Sequence, residues 1–292
     1  MFAGCSQASR QEIRPVRPRI LVVHTGGIGD FLLCCPSIQR MARDAAVELL
    51  GRPERLALAL DAGLVERIHD LEAAGFDSLF ATPSAAIRAL LSRFDAAVVW
   101  MRDDDGALKR AIQSCGLTDV RTFPGLPPQS WARHAAEYYL HCLGFETSAL
   151  FRLTLPSVDA PLDVVIHPGS GGKAKNWPFE RFLRLSEALR ARGREAHWCV
   201  GPAEEGISLP KDAKVVCEAS LAALARRLAA ARDYVGNDSG ITHLAAACGT
   251  RTTAVFGVTD PRVWAPRGEE VQVVSGTPWP GVDAVLSVLL RE

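Results

Sequence analysis

The chain has 292 residues, 33 basic against 33 acidic side chains and so no net formal charge, and 48% of its residues are hydrophobic. That length suits two domains of ordinary size, and the balanced charge gives no reason to expect a nucleic acid partner. The eight cysteines show neither CxxC nor metal-ligand spacing, which argues for a reduced, cytoplasmic setting and against a disulfide scaffold.

Residues 1–18 are polar and Arg-bearing, lack the apolar core of a signal peptide, and are expected to form a mobile tail. No run of 18 apolar residues occurs anywhere. From residue 19 the pattern alternates, with strands expected near 20–24, 46–50, 77–81, 96–101 and 119–123. Helices are expected between them near 30–43, 61–71, 84–93, 105–115 and 131–145. Such alternation predicts a parallel sheet with helices on both faces. The stretch 120–130 carries three prolines and reads as a loop, and 156–161 reads as a linker.

The second half repeats the alternation, with strands near 163–167, 195–200, 213–217, 233–236, 252–256 and 271–274, and helices near 178–192, 220–231, 240–248 and 282–291. The fold class expected is therefore α/β, with two Rossmann-like doubly wound domains, 19–155 and 156–292. Ligands of such sheets bind in the crevice beyond the carboxyl ends of the strands, where three polar turns fall.

The first turn, His24-Thr-Gly-Gly-Ile-Gly-Asp30, follows the strand RILVVH. Its glycines, Gly27 and Gly29 among them, allow positive φ and close approach of a ligand to the backbone. It fails the dinucleotide pattern GxGxxG because Leu32 stands at the third position, which argues against a dehydrogenase. Asp30 at its exit reads either as the cap of the following helix or as a carboxylate for proton transfer.

The second turn, Pro168-Gly-Ser-Gly-Gly-Lys-Ala-Lys-Asn-Trp-Pro178, resembles a Walker loop but puts Ala174 where Ser or Thr must hold magnesium, so a P-loop nucleotidase is rejected. It still offers Ser170, free amides at positions such as Gly171, and the ammonium groups of Lys173 and Lys175, as a diphosphate requires. Trp177 reads as a packing anchor. The third turn, Gly236-Asn-Asp-Ser-Gly240, opens a helix whose first amides and positive dipole end suit a phosphate.

Three further features are weighed. Asp103-Asp-Asp105 reads as capping and dipole compensation for the helix ALKRAI rather than as a metal-binding DxD motif. Either Glu204 or Glu205, after the strand HWCVG, stands where an acid accepts ribose hydroxyls, or is simply an exposed acid at a helix start. Thr259 and Asp260 read as caps of the next short helix rather than as part of the cleft.

Together the segments RILVVHTGGIGDFLLCCPSIQRM, VVIHPGSGGKAKNWPFERFLRLSEAL and YVGNDSGITHLAAACGTRTTAVFGVTDPRVWAP resemble glycosyltransferase family 9, the ADP-heptose:lipopolysaccharide heptosyltransferases. The likeness runs from about Arg19 to Arg267. It implies a GT-B fold, with two sheet domains facing a central cleft, and an inverting transfer of heptose from ADP-heptose to a lipopolysaccharide-core or other glycan acceptor. Asp30 would be the general base, and Lys175, aligned on the K-x-W-P pattern, would contact the donor's phosphates or sugar. Ser170, Gly171, Lys173 and the amides of Ser239 and Gly240 would complete the diphosphate cradle. Asp238 caps its helix, accepts donor-sugar hydroxyls or does both, and His243 is either structural, as a lone helical His usually is, or a ligand or a neighbour of one.

No cofactor and no catalytic metal are expected. The partners expected are the nucleotide-sugar donor and the glycan acceptor, through which peripheral contact with the inner membrane surface is allowed. The chain departs from the family in its compact first domain, in lacking a basic cluster for a phosphorylated acceptor there, and in carrying His24 where many relatives have another polar or basic residue. A transferase using a different nucleotide sugar and a non-catalytic nucleotide-sugar-binding protein are the competing readings.

Overall fold

The computed structural model describes residues 17–146, 150–155, 160–201, 204 and 206–291. Residues 1–16 of the expected tail, 156–159 of the expected linker, and Glu205 lie outside the described residues. The first half contains β1 (Arg19–His24), α1 (Ile28–Met41), β2 (Ala46–Gly51), α2 (Pro53–Asp61), β3 (Arg67–Asp70), a 3₁₀ turn at Phe76–Phe80, α3 (Ala85–Leu91), β4 (Ala96–Trp100), α4 (Ala107–Ser114), β5 (Asp119–Phe123) and α5 (Ala135–Cys142). Its strands form one parallel sheet in the order β3-β2-β1-β4-β5.

The second half contains β6 (Leu162–His167), a 3₁₀ turn at Lys173–Lys175, α6 (Phe179–Arg190), β7 (Ala196–Cys199), β8 (Lys214–Val216), α7 (Leu221–Ala229), β9 (Ala231–Asn237), α8 (Gly240–Ala247), β10 (Arg251–Phe256), α9 (Pro261–Trp264), β11 (Val271–Ser275) and α10 (Val282–Leu289). These strands are also all parallel, in the order β11-β10-β9-β6-β7-β8. Both orders reverse beside the first strand of their half, between β1 and β4 and between β6 and β9. Each reversal opens a crevice at the carboxyl ends.

The central strands are apolar on both faces because both are covered. In β1, Leu21 and Val23 pack in one cluster with Ile87 and Leu91 of α3 and Ile112 of α4. Val22 turns the other way and joins Phe31 of α1 and Tyr139 of α5. Side chains fully buried in this way each contribute about 1.5–3 kcal/mol relative to exposure. In the second half, Phe182, Leu185 and Leu189 recur at helical spacing along α6 and pack with Val285, Leu286 and Leu289 of α10.

One apolar cluster runs across the junction, joining Phe31, Cys34 and Ile38 of α1 to Leu244, Ala245 and Cys248 in and just after α8. Helix α8 is buried almost all round, as expected for a helix enclosed by its own sheet on one side and by α1 on the other. The junction is tied further by Leu153 N–H donating to Ala247 O at 2.8 Å, His134 Nε2 bonding Ala265 O at 2.8 Å, and an Arg226–Asp61 ion pair at 3.3 Å.

Two expectations between Gly51 and Pro83 are corrected. The helix lies at Pro53–Asp61, not 61–71, because Pro53 sits in its first turn where a missing N–H costs nothing; β3 then occupies part of the expected helix. The sequence of β3, RIHD, is that of a mostly polar edge strand and lacks an apolar run. The expected strand at 77–81 is instead the 3₁₀ turn Phe76–Phe80. It follows Gly75 at φ +67°, and Ser78 Oγ donates back to Gly75 O at 2.6 Å. Phe76, Leu79 and Phe80 are residues that strands favour, but Phe76 and Leu79, three apart, are the buried pair, as in a 3₁₀ turn.

Candidate active site at two facing helix ends

The first turn ends β1 and starts α1. Gly27 is the helix N-cap with extended backbone, and Asp30 is the third helical residue rather than the cap, its Oδ2 accepting from Gly27 N–H at 2.8 Å. None of the three glycines has positive φ. They are required by crowding instead: a Cβ on Gly26 would fall 2.9 Å from His24 Cε1, and one on Gly27 would fall 3.1 Å from Asp30 Oδ2. Gly29 packs at the junction, where a Cβ would meet His243 Cδ2 at 3.1 Å and Gly240 Cα at 3.5 Å.

The third turn ends β9 and starts α8. Ser239, not Asp238, is the N-cap, with Oγ accepting from Thr242 N–H at 3.3 Å, and this sets Asp238 free of capping. A Cβ on Gly240 would lie 2.8 Å from Ile28 Cβ and 3.0 Å from Gly29 N. The first turns of α1 and α8 therefore touch through glycines, and the Asp30 turn and the anion-binding helix end meet at the junction.

Asp238 is buried and takes two partners, Lys175 Nζ at 2.9 Å and Thr259 Oγ1 at 2.8 Å. Thr259 thus reaches the site, while Asp260 alone caps α9 by accepting from Arg262 N–H at 2.9 Å. Lys175 comes from the second turn, and its side chain stays 40% exposed. Lys173 is exposed at the rim and Gly171 is exposed at the loop tip.

Ser170 is turned into its own loop. Its Oγ lies 2.8 Å from Gly172 O and 2.6 Å from Asn176 Oδ1, so its single proton serves one of the two, and it accepts from Gly172 N–H at 3.2 Å. The loop is fastened by Asn237, whose buried amide donates to Pro168 O at 2.7 Å and accepts from Trp177 N–H at 2.7 Å. Trp177 is the packing anchor expected: it is 1% exposed, stands edge-on to Phe182 at 4.9 Å, and donates to Pro280 O at 3.0 Å.

Glu204 faces inward. Its Oε2 accepts from Gly201 N–H at 2.7 Å, and His167 Nε2 lies 3.2 Å from Oε1, within ion-pair reach but off a hydrogen-bond line. A Cβ on Gly169 would fall 1.6 Å from that oxygen, so only glycine admits the carboxylate there. Burial alone would raise its pKa, but His167 and the Gly201 amide reverse this and hold it below the usual carboxylate range.

His243 is buried between Gly29, Asp238 and the backbone of Trp264. Burial pushes its pKa down to about 4, against the pull of Asp238. His24 is likewise held to about 4, by burial first and the Arg55 charge second, and packs edge-on to Phe31 at 5.4 Å. Both imidazoles are neutral at pH 7. Asp103 accepts from Leu108 and Lys109 N–H groups, each at 2.9 Å, which is the helix-end role expected for that acidic run.

Sequence reasoning missed Asn237 as the fastener of the loop, Thr259 as a partner of Asp238, and Arg55, whose guanidinium bonds the carbonyls of the first turn. Asn237 and Thr259 lie inside turns already singled out, so spacing alone could have raised them. Arg55 carried no local signal.

Two doubly wound sheets whose carboxyl-end crevices meet at a pair of helix N-termini define a GT-B protein. Residues 138–285, about half of the chain, match the model of glycosyltransferase family 9 (heptosyltransferase), and the chain belongs to that family. It is 31% identical over 171 residues to lipopolysaccharide heptosyltransferase 1 of Pseudomonas aeruginosa, a match covering 52% of this chain and 48% of that protein. The matched stretch thus spans about half the length of that curated relative. The fold resembles that of Escherichia coli ADP-heptose lipopolysaccharide heptosyltransferase II, with a TM-score of 0.72, 17% identity and coverage of 93% of this chain and 98% of the other. It also resembles E. coli heptosyltransferase WaaC with ADP-2-deoxy-2-fluoro heptose, with a TM-score of 0.61, 21% identity and coverage of 92% and 98%.

Proposed function

We propose that this protein is an inverting glycosyltransferase that moves a heptose or related sugar from ADP-heptose to a lipopolysaccharide-core or other glycan acceptor, without a metal. One observation carries the reading: the Asp30 turn packs through Gly29 and Gly240 against the helix end beside which Lys175 and Asp238 pair at 2.9 Å. A base and an anion cradle on facing helix ends are what transfer between a hydroxyl and a diphosphate-linked sugar requires. The names of the relatives favour a heptose, and the ADP-linked sugar in one structural neighbour favours an ADP-linked donor.

In this mechanism the Asp30 carboxylate takes the proton of the acceptor hydroxyl as its oxygen attacks the anomeric carbon, a step for which a general base supplies about 10²–10⁴ in rate. The bond to the diphosphate breaks on the opposite face, and the charge left on ADP is met by Lys175, the Ser239 and Gly240 amides and the positive end of α8. Donor binding exchanges partners. The diphosphate takes Lys175 from Asp238, and Asp238 turns to the sugar hydroxyls. The reaction is placed in the cytoplasm, with the inner membrane surface approached only through the acceptor.

The test is ADP release from ADP-heptose with core acceptors, comparing wild type with Asp30→Ala and Lys175→Ala. Turnover should fall about 10²–10⁴-fold for Asp30→Ala and about 10²–10³-fold for Lys175→Ala, both proteins remaining folded. Equal rates in all three would reject these assignments.

A further inference from the structure

Arg55 lies in the first turn of α2 and is half-buried. Its Nη1 donates to Gly26 O and, at 3.4 Å, to Thr25 O. The Gly26 carbonyl and the Gly27 N–H belong to one planar peptide unit. That N–H is the donor that holds Asp30 Oδ2 at 2.8 Å. Guanidinium, peptide and carboxylate therefore stand in series, and a cation pulling on the carbonyl polarises the peptide and strengthens the bond its N–H gives.

The arrangement needs such a clamp. A peptide between two glycines has no Cβ to resist rotation, and a flip would turn the Gly26 carbonyl toward the Asp30 carboxylate and its N–H away. Side chains that would stiffen the turn are excluded, because a Cβ on Gly26 has His24 at 2.9 Å and Asp30 Cβ at 3.1 Å. Rigidity has to come from outside the turn, and α2 supplies it. Among the described residues Asp30 Oδ1 takes part in no hydrogen bond, so fixing Oδ2 leaves one oxygen for the acceptor proton.

We infer that Arg55 is a positioning residue for the transfer: it locks the Gly26–Gly27 peptide so that its N–H orients Asp30 and leaves Oδ1 aimed at the acceptor hydroxyl. The inference rests on Asp30 being the base, as proposed above. Arg55 contacts neither Lys175 nor Asp238 among the described residues, so its effect falls on turnover and not on donor affinity.

The experiment measures steady-state turnover with ADP-heptose and the binding of ADP alone for wild type, Arg55→Ala, Arg55→Lys and Asp30→Asn. Misplacing a catalytic group by a fraction of an ångström to an ångström costs up to about 10²-fold, so kcat for Arg55→Ala should drop about 10–100-fold and for Arg55→Lys about 3–10-fold. The Kd for ADP should stay within about twofold of wild type in both, since uniform binding is untouched. Millimolar guanidinium should restore part of the turnover of Arg55→Ala and none of that of Asp30→Asn.

An unchanged kcat in Arg55→Ala, or a loss matched by an equal loss of ADP affinity, overturns the inference. If Arg55→Ala melts too low to assay, Arg55→Lys decides alone: wild-type kcat overturns the inference, and reduced kcat with unchanged ADP affinity supports it. An Asp30→Asn variant as fast as wild type would instead overturn the assignment of the base. An inactive Asp30→Asn beside a fully active Arg55→Ala removes only Arg55.

Discussion

Asp233, near the start of β9, and Asp238, just past its end, are both nearly buried carboxylates paired with cations, yet their surroundings differ. Asp233 is met by Arg194 at 2.6 Å and by Arg251, with Arg232 at 3.9 Å. Arg194 is shared with Asp163 at 2.7 Å, and Arg251 also bonds the carbonyls of Leu289 and Arg291, fastening the end of α10 to the sheet. Asp238 has a single ammonium, from a lysine whose side chain is 40% exposed. An acid whose partners are all spoken for holds structure, whereas an acid with one exchangeable partner is set to trade it for a ligand.

The contrast extends along both sheets. At the amino end of the first sheet, Glu48 is closed off by Arg19 at 2.7 Å and His69 at 2.6 Å. At the carboxyl ends, His24 Nε2 and Trp100 Nε1 are buried with no partner among the described residues. These two side chains stand at paired positions of β1 and β4, beside the crevice of the first sheet. Glu204 Oε1, past the carboxyl end of β7, is a third buried atom without a hydrogen bond and His197 Nδ1, near the amino end of β7, is a fourth, so three of the four fall on the side where the chemistry is proposed.

The largest effect should come from breaking the saturated end. Replacing Asp233 by Asn takes the carboxylate from Arg251 and leaves Arg194 with Asp163 alone, and should cost about 3–5 kcal/mol of stability, read from urea unfolding at pH 7.5. ADP binding by the fraction that remains folded should be unchanged. A loss below about 1 kcal/mol would put Asp233 in the same class as an exposed ion pair and erase the contrast.

Lys175→Ala is the mirror experiment. Its turnover loss of about 10²–10³-fold should come with a stability change within about 1 kcal/mol, because the Lys175 side chain is 40% exposed and Thr259 still donates to Asp238. The rise in melting temperature that ADP gives the wild type should shrink or vanish in this variant. A variant as unstable as Asp233→Asn, with the ADP response intact, would make the Lys175–Asp238 pair a structural one.

The sequence made the second half more legible than the first. Its strands are apolar runs, and its turns carry Gly, Ser, Asp and Pro at positions where those residues have a defined backbone use. Between Gly51 and Pro83 the signals conflict. An edge strand written RIHD has no apolar pattern, and a 3₁₀ turn written FDSLF carries the aromatic and apolar residues that strands favour. In the site, local features such as Asp30 beside Gly27 and Lys175 before Trp177 were readable, because each sits inside its own turn. The inward turn of Glu204, the exchange of capping from Asp238 to Ser239, and the reach of Arg55 to Gly26 were not. Each depends on distances between segments far apart in the chain, which local pattern does not record.

The smallest effect tests the unsatisfied end through pH. His24 has a folded-state pKa near 4 against 6.5 as the ordinary value, so between those values the unfolded chain binds a proton that the folded chain refuses. Its contribution is therefore fully present above about pH 6.5 and is lost as pH falls toward 4, reaching about 2 kcal/mol by pH 5. The carboxylates held below their usual range, such as Glu48, Asp163 and Glu204, lose their contributions only at lower pH, so the window from 6.5 to 5 belongs to buried histidines. His24→Leu removes both the titration and the orphaned Nε2 while keeping the packing against Phe31 and Tyr139. It should match or slightly exceed the wild type in urea unfolding at pH 7.5, because an unpartnered buried nitrogen contributes nothing to stability. By pH 5 its advantage should have grown by about 2 kcal/mol, with His243 and His134, both lowered chiefly by burial, supplying the slope that remains. A constant difference across that range would mean that the folded protein accepts a proton at His24 freely, and the carboxyl end of the first sheet would then be as well satisfied as the amino end.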